Sequence, residues 1–288
     1  DLSKVITSQM FLREKFDANN DLDEIKARLI GHGNRQYFID ASGGKTSSPT
    51  VSMNSVLAGI SVAAKNKDHE IAVFDVKHAY LNAELSDPDG QLMYLPKDVV
   101  EILLHDDPIL KDYVQDDGRI LVRLRKALYG LKTAGRDWFN NVKETLINCG
   151  YKQSQVDKCI FYGNGITIFT YVDDFLTIGE PTAINAFRDN MTRAYGKLKE
   201  KRGSEVMYLG MNIKRMRNGD ITVDQKGYIE QLLSDYQVDG NESKYPACAN
   251  LMHESENHDV VDEKDYLSLV MKIMFIATRS RPDILLPK

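Results

Sequence analysis

The sequence lacks the features that mark membrane-spanning, secreted and disulfide-rich proteins. No apolar run approaches the roughly 20 residues that cross a bilayer. The first ten residues, DLSKVITSQM, have neither the basic patch nor the apolar core of a signal peptide. The three cysteines, Cys149, Cys159 and Cys248, are odd in number, widely spaced and fit no zinc-binding pattern. We therefore expect a protein of a reducing compartment, with no disulfide framework and no membrane partner.

The chain also lacks the excess of basic residues that is usual in nucleic-acid-binding proteins. Its 288 residues include 37 Lys and Arg against 42 Asp and Glu, a formal net charge of −5. The charge is uneven, because the charged residues of 84–117 are mostly acidic and those of 119–136 and 197–217 are mostly basic. Basic stripes can follow a phosphate backbone despite an acidic total, and they can equally be solvated charged faces. The length suffices for one large domain or two modest ones.

The most informative stretch that is present is ITIFTYVDDFLTI, residues 166–178. Two β-prone segments flank Asp173 and Asp174, and glycines bound them, so the stretch predicts a tight hairpin with both aspartates at its tip. Adjacent carboxylates repel each other and need a compensating cation. Mg²⁺ takes oxygen ligands and leaves room for substrate phosphates. Taken alone, an Asp-Asp pair is more often an exposed turn than a metal site.

A third aspartate, Asp75, follows the apolar run IAVF, which predicts a fully buried strand. A carboxylate at the end of such a strand is costly unless it binds something. Residues 76–82 are predicted to turn into a helix that brings Tyr80 back over the strand end. The run therefore indicates that Asp75 belongs to a functional site.

Residues 9–30 predict a hairpin on which Lys26 and Arg28 share a face, with Arg13 and Lys15 on the partner strand. This basic face suits a triphosphate clamp or a solvated strand face. Gly130 permits a close backbone approach or a positive φ, and could also be an ordinary turn glycine. Spacing and propensity predict helices over 50–66 (capped by Ser48 or Thr50), 134–149, 181–199, 225–236 and 264–278, and strands at 120–124, 159–162 and a hairpin of 206–213 with 220–224.

Six blocks stand in a fixed order along nearly the whole chain: KARLIGHGNRQ (26–36), FDVKHAYLNAEL (74–85), LYGLKTAGRDWF (128–139), YVDDFLTIG (171–179), YLGMNI (208–213) and YLSLVMKIMFIATRSRPDI (266–284). In these blocks the sequence resembles the copia-type LTR-retrotransposon reverse transcriptases. The resemblance implies an α+β fold, the right-hand polymerase, with fingers, a palm of antiparallel sheet and packed helices, and a partial thumb. It places the fingers mainly at 1–70, palm at 71–85, fingers or insertion at 86–125, palm with primer grip at 126–223 and a truncated thumb at 224–288.

The resemblance also implies an RNA-directed DNA polymerase that extends a primer with dNTPs on an RNA or DNA template. Asp75, Asp173 and Asp174 would be the catalytic residues and hold two Mg²⁺ ions, with Mn²⁺ as a substitute. By the same resemblance, Lys26 and Arg28 would bind the triphosphate, and the Val76 carbonyl would support the nucleotide-bound ion. Tyr80 would be the steric gate that excludes a ribose 2′-hydroxyl, and Gly130, Leu131 and Lys132 would line the template and nucleotide floor. Tyr171 would pack on the primer terminus, and the primer grip would be formed by Met207, Tyr208, Leu209 and Gly210. One of Lys197, Lys199 and Lys201 would protonate pyrophosphate, and Trp138 is expected in the core.

The implied partners are template–primer and dNTPs, together with other Pol regions (ribonuclease H, integrase) or a second copy of the chain. The implied location is the cytoplasm, within retrotransposon particles. The absent starting Met predicts a piece of a polyprotein. Two features depart from the family: Gly135 stands where Pro is common, and residues 86–118 look longer and more acidic. The alternative is a catalytically idle, retroelement-derived protein that binds nucleic acid or assembles with partners.

Overall fold

The computed structural model describes residues 4–16, 21–36, 46–87, 89–237, 240 and 262–285, and within them the chain forms three sheets and six α-helices. The strands are β1 (Ile6–Phe16), β2 (Leu22–Gly31), β3 (Glu70–Asp75), β4 (Gln91–Leu95), β5 (Ile120–Leu124), β6 (Lys152–Gln153), β7 (Ile160–Gly163), β8 (Ile166–Tyr171), β9 (Asp174–Gly179), β10 (Lys199–Arg202), β11 (Glu205–Tyr208), β12 (Met211–Arg215) and β13 (Ile221–Asp224). The helices are α1 (Met53–Lys65), α2 (Lys97–Asp106), α3 (Ala134–Asn148), α4 (Pro181–Tyr195), α5 (Lys226–Asp235) and α6 (Glu263–Ala277).

The central sheet has the order β10-β3-β9-β8-β7-β6, and every neighbouring pair in it is antiparallel. Its central strands, β3, β8 and β9, are buried on both faces. Along β3, Ala72 and Phe74 pack toward α3 and α4, whereas Ile71 and Val73 pack toward α1 and the β11–β13 sheet. This two-sided burial explains why β3 is a continuous apolar run rather than an alternating one.

Two smaller sheets flank the central one. The N-terminal sheet, β2-β1-β4-β5, contains the predicted hairpin, with Arg13 directly opposite Lys26 and β1 parallel to β4. The C-terminal sheet is the meander β11-β12-β13. The base of the N-terminal sheet joins the core through Ile6 and Met93, both fully buried. Most of the hairpin beyond this base is exposed to solvent.

Several predicted boundaries are wrong, each for a local reason. Helix α1 begins at Met53, because the Ser52 side chain accepts from the Ser55 amide and so caps it in place of Ser48 or Thr50. Helix α4 ends at Tyr195, where Gly196 takes a φ of 77°. Of the residues predicted to continue that helix, 196–198 form a connection, and Lys199 begins β10, whose backbone pairs with the edge of β3.

Two further predictions are corrected. Residues 206–213 are not one strand, because Leu209 and Gly210 have φ values of 48° and 78° and make a tight turn between β11 and β12. Residues 76–82 form only a short 3₁₀ turn, Ala79–Asn82, after His78 in the left-handed region. Cys248 and residues 241–261 of the predicted thumb lie outside the described residues.

In the described part of the chain, no helix is both long enough and apolar enough to span a bilayer.

Candidate active site

The three predicted aspartates meet at one edge of the central sheet. Asp75, the last residue of β3, is directly opposite Asp174, the first residue of β9. Asp173 lies in the turn that joins β8 to β9, where Tyr171 pairs with Asp174. Antiparallel strand pairing thus brings together carboxylates that are about a hundred residues apart in sequence.

The turn that carries Asp173 is held by contacts from two other elements. Val172 has a φ of 52°, which is strained for a β-branched residue and costs of order 1–3 kcal/mol. Trp138 of α3 donates its indole N–H to the Val172 carbonyl at 2.5 Å, and the Val76 amide donates to the Asp173 carbonyl at 2.9 Å. Trp138 is buried, as predicted, but its hydrogen bond to the turn was not anticipated.

Burial and neighbouring negative charge raise the pKa of two of these carboxyl groups, Asp173 and Asp174. Burial, followed by the charges of Asp173 and Asp75, raises the pKa of Asp174 to about 6. The pKa of Asp173 is also raised, first by burial and then by Asp75, while Lys26 and Arg28 oppose the shift. The ionised forms are therefore destabilised in the folded protein, and a cation at this edge would relieve the repulsion.

The carboxylates at this edge are suitable ligands for a divalent cation, although the side chains do not form a preorganised coordination site. Within the described ranges, no group of three or more His, Cys, Asp or Glu is positioned to hold a metal ion. The mutual repulsion of Asp75, Asp173 and Asp174 nevertheless matches a hard cation. Mg²⁺ is commonly held by one or two carboxylates, with substrate phosphates and water completing its shell, so a preformed three-ligand cage is not required.

We expect the Asp174→Asn variant to be more stable than the parent when metal is absent. Because the folded-state pKa of Asp174 is about 6, above its unfolded value of about 3.9, the stability penalty is full above pH 6 and fades toward pH 4. Allowing for solvent screening of this partly exposed group, the gain is about 1 kcal/mol, or about 2–4 °C in Tm. Thermal unfolding in EDTA at pH 7.5 and pH 4 measures it.

Asp189→Asn is the control, because Asp189 is an exposed aspartate in the middle of α4 whose carboxylate pairs with the Arg188 guanidinium. Its Tm should stay within about 1 °C of the parent. Added Mg²⁺ should then raise the Tm of the parent more than that of Asp174→Asn. If Asp174→Asn is no more stable than the parent at pH 7.5, then Asp174 is not destabilised by burial and by the charges of Asp173 and Asp75.

Lys26 and Arg28 face the aspartates from the N-terminal sheet, since their charges act on Asp173. A cleft of about 230 Å³ beside them is lined by residues that include His78, Leu81 and Tyr129. Lys15, on the same face of the hairpin, forms an ion pair with Glu24 at 3.0 Å. Lys26 and Arg28 are thus the hairpin cations whose charges reach the aspartate edge.

Tyr80 lies beside the aspartates and packs edge-on against Tyr129, with ring centroids 5.0 Å apart. Burial, and then the charge of Asp173, raises the pKa of both phenols. The Arg28 guanidinium lies 5.9 Å from the centroid of the Tyr129 ring. Tyr129 was missed as a site residue. It lies within the block LYGLK, but spacing alone did not show which side chain of that block faces the aspartates.

The loop around Gly130 packs against the chain's own backbone. Gly130 has a φ of 88°, and a Cβ there would lie 2.2 Å from the Gly31 carbonyl oxygen. The Lys132 amide donates to the Gln36 side chain at 2.9 Å, and its Nζ donates to the Gln36 carbonyl at 3.3 Å. This loop therefore braces the end of β2, and its contact with template and nucleotide stays a prediction.

The predicted primer grip divides into exposed and buried residues. Met207 is 50% exposed, whereas Tyr208 is 2% exposed and donates its hydroxyl to the Phe169 carbonyl at 3.4 Å. Only part of this segment can therefore meet a primer with its side chains. The Leu209–Gly210 turn, in addition, contacts the C-terminal part of the chain.

Helix α6 closes over that turn. A Cβ on Gly210 would lie 2.8 Å from the Phe275 ring, and the Arg279 side chain donates to the Leu209 carbonyl at 3.3 Å. The charge interaction between Arg279 and Tyr171 places the 36% exposed Tyr171 on the same side. Phe275 and Arg279 were missed, because the block that contains them carried no chemical signal.

Among the three candidate lysines, the structure relates two to the aspartates. Lys199 is directly opposite Asp75 in the pairing of β10 with β3. The charge of Lys201 lowers the pKa of Asp174, against the effect of burial. Lys197 lies outside β10, in the segment that leads to it.

Known proteins resemble this chain in sequence and in fold. A family model described as "Reverse transcriptase (RNA-dependent DNA polymerase)" matches residues 2–249. The chain is 28% identical over 237 residues to the Retrovirus-related Pol polyprotein from transposon RE1 of Arabidopsis thaliana, which covers 80% of this chain and 15% of that protein. It is 27% identical over 286 residues to the Retrovirus-related Pol polyprotein from transposon TNT 1-94 of Nicotiana tabacum. This match covers 94% of this chain and 20% of that protein. The chain thus spans only about a fifth or less of these relatives.

A solved structure shares the fold. The foamy viral protease-reverse transcriptase, in complex with double-stranded DNA, superposes with a TM-score of 0.50 at 10% identity, covering 93% of this chain and 36% of that one. At this identity the likeness concerns the fold alone. With its α+β right-hand polymerase fold, the chain belongs to the reverse transcriptase (RNA-dependent DNA polymerase) family, as a region of a copia-type retrotransposon Pol polyprotein.

Proposed function

We propose that this chain is an active RNA-directed DNA polymerase that extends a primer with dNTPs on an RNA or DNA template. The observation that supports this most is the pairing of Asp75 with Asp174, with Asp173 in the adjoining turn. Two Mg²⁺ ions, or Mn²⁺ in their place, would supply the charge that activates the primer 3′-hydroxyl and stabilises the pyrophosphate leaving group. The three aspartates would hold these ions, and the Val76 carbonyl would support the one on the nucleotide side.

The remaining roles are positioning and charge neutralisation, which dominate phosphoryl transfer. Lys26 and Arg28 would neutralise the incoming triphosphate, since their charges already reach the aspartate edge. Tyr80 would limit the space beside the sugar. Lys199 is the preferred proton donor to pyrophosphate, because β10 places its backbone opposite Asp75. Tyr171, Met207 and the Leu209–Gly210 turn would hold the primer end.

Partners and location are part of the proposal. A template–primer duplex and dNTPs would occupy the edge of the central sheet that carries the three aspartates. The named relatives are Pol polyproteins, which supports neighbouring Pol regions such as ribonuclease H and integrase, or a second copy of the chain, as further partners. We propose that the protein acts in the cytoplasm, within retrotransposon particles.

Primer extension by the full chain tests the proposal. A labelled DNA primer is annealed to an RNA template and, in parallel, to a DNA template, and dNTPs are added with Mg²⁺ or Mn²⁺. Product on both templates is expected, and EDTA should abolish it. A folded, monodisperse protein that makes no product on either template at any metal concentration would favour the idle, nucleic-acid-binding alternative.

Removing the indole N–H that holds the catalytic turn should impair extension. Trp138→Phe leaves the Val172 carbonyl without its donor and creates a small void, at a cost of about 2 kcal/mol of stability. Because the strained turn would no longer hold Asp173 in place, we expect kcat to fall between about 10- and 100-fold. Extension is measured per folded molecule, from active-site titration alongside thermal unfolding.

Leu146→Ala is the matched control for that variant. Leu146 is also fully buried on α3, but it lies two turns farther along the helix, and its truncation costs about 2–5 kcal/mol. It should lower Tm at least as much and leave kcat per folded molecule within about twofold. Equal losses of kcat in Trp138→Phe and Leu146→Ala would show that Trp138 acts only as a core residue and does not position the catalytic turn.

A further inference from the structure

A second pocket lies at the opposite end of β3 from the catalytic edge. It encloses about 490 Å³ between the segment 67–71 and strands β10, β11 and β12. Glu70, which lines it, and Asp75 are the first and last residues of β3, so about 16 Å of strand separates them. The pocket is therefore distinct from the proposed polymerase site.

The walls of this pocket carry more positive than negative charge. Lys67, Arg202 and Arg215 line it, against the single carboxylate of Glu70. Arg202 binds Glu70 in a short ion pair, which cancels both charges. Neither Lys67 nor Arg215 has an ion-pair partner among the described residues. Two uncompensated cations therefore face one half-enclosed space, which attracts an anion.

Arg215 is fixed in place before any ligand arrives. Its guanidinium donates to the carbonyls of Ala63 at 3.0 Å, His69 at 3.1 Å and Gly219 at 3.2 Å. These neutral acceptors orient the group and leave its charge uncompensated. The basic stripe predicted over residues 197–217 is consequently not one solvated face, since Arg202 and Arg215 turn toward this pocket.

His69 contributes a second, independent signal. Its ring Nδ1 is buried and finds no hydrogen-bond partner in the described part of the chain. Native proteins rarely leave a buried polar atom without a hydrogen-bond partner. His69 lines the same pocket as the two cations and also the neighbouring pocket beside α1, so its side chain lies at the wall that a ligand would contact.

The floor of the pocket is apolar. Ile71, Val206 and Ile213 line it, and each is at least nine-tenths buried. An apolar floor beneath a basic rim suits a molecule with a flat, weakly polar part and an anionic part. Nucleosides that carry a phosphate have this character, and a volume of about 490 Å³ holds one such unit.

We propose that this pocket binds a nucleoside phosphate, with the base over Ile71, Val206 and Ile213 and the phosphate between Lys67 and Arg215. The unit is either a free nucleotide or one nucleotide of a single strand, since both present the same chemistry. The site is independent of the proposed polymerase activity, because none of its residues is among those assigned to catalysis.

Isothermal titration of the full chain in EDTA tests the proposal, with AMP, inorganic phosphate and the oligonucleotide dT8 as separate probes. Lys67→Glu reverses one rim charge on an exposed side chain and should leave the fold intact. We expect it to weaken AMP binding at least fivefold. Lys65→Glu is the matched control, because Lys65 is an exposed lysine two residues away that does not line the pocket, and it should change binding less than twofold. His69→Ala should weaken binding at least threefold.

Each outcome has a defined meaning. AMP binding that depends on Lys67 identifies a free nucleotide as the ligand, whereas dependence seen only with dT8 identifies a strand. Equal affinity for AMP and inorganic phosphate overturns the nucleoside assignment. Binding that is lost in Arg28→Ala, or that Lys67→Glu and Lys65→Glu affect equally, places the ligand elsewhere and overturns the site.

Discussion

Primer extension should fall about 1,000-fold or more when Asp173 is replaced by Asn, and equally when Asp75 is replaced by Asn. Each change keeps the shape of the side chain and removes one of three negative charges at the edge of β3 and β9. The remaining carboxylate pair would hold two divalent ions poorly, so the loss should appear in kcat and in the Mg²⁺ concentration needed for half-maximal rate. Single-turnover extension over a range of Mg²⁺ concentrations separates the two effects.

The same variants should not be unstable, which distinguishes loss of chemistry from loss of fold. Because the pKa of Asp173 is raised by burial and by Asp75, removing either charge should maintain or raise Tm in EDTA. Asp189→Asn, on the exposed face of α4, should keep full extension. Wild-type rates in Asp173→Asn or Asp75→Asn would exclude these carboxylates from the reaction and refute the proposed mechanism.

Replacing Tyr80 with Val should admit ribonucleotides. The Tyr80 ring stands beside Asp173 and is braced edge-on by Tyr129, so it occupies fixed space next to the proposed metal site. Removing the ring would make room for a 2′-hydroxyl on the sugar. We expect discrimination against rNTPs, expressed as the ratio of kcat/KM values, to fall about 100-fold, with dNTP extension retained within about tenfold. Single-nucleotide incorporation with dGTP and GTP measures it.

Tyr80→Phe and Tyr129→Phe are the matched controls for the gate. Each keeps the ring and its edge-on contact and removes only a hydroxyl, so discrimination should change less than about threefold. If Tyr80→Val discriminates as well as the parent, the sugar is excluded by another group. The adjacent cleft residues Leu81 and His78 would then be the next to test.

Local chemistry made the strands and the acidic hairpin of the central sheet predictable. The apolar run before Asp75 and the β-prone segments around Asp173 and Asp174 predicted β3, β8 and β9, and the structure confirms all three. One error fell where tertiary pairing competes with local propensity, and others where a helix cap or a tight turn set the boundary. The helical stripe in the sequence continues to Leu198, but the helix ends at Tyr195, and from Lys199 onward the backbone pairs with the edge of β3 as a strand.

The residue types at the candidate site could be found from sequence, whereas their supporting contacts could not. Tyr129, Trp138 and Arg279 act through contacts with residues more than thirty positions away in sequence. No periodicity encodes such contacts, since they depend on how α3, α6 and the N-terminal sheet pack around the aspartate edge. For the same reason the sequence did not predict that Tyr208 is buried whereas its neighbour Met207, in the same primer-grip segment, is exposed.

The sequence by itself determined which residues carry charge, where most of the strands and helices form, and the family to which the chain belongs. Only the tertiary structure decided that Asp75 faces Asp174, that Lys26 and Arg28 act on Asp173, and that Lys67 and Arg215 share a pocket with His69. The physical reason is that strand propensity and hydrophobic pattern are local, whereas strand register and electrostatic interaction depend on distances in space. Those distances are set by the packing of both faces of the central sheet.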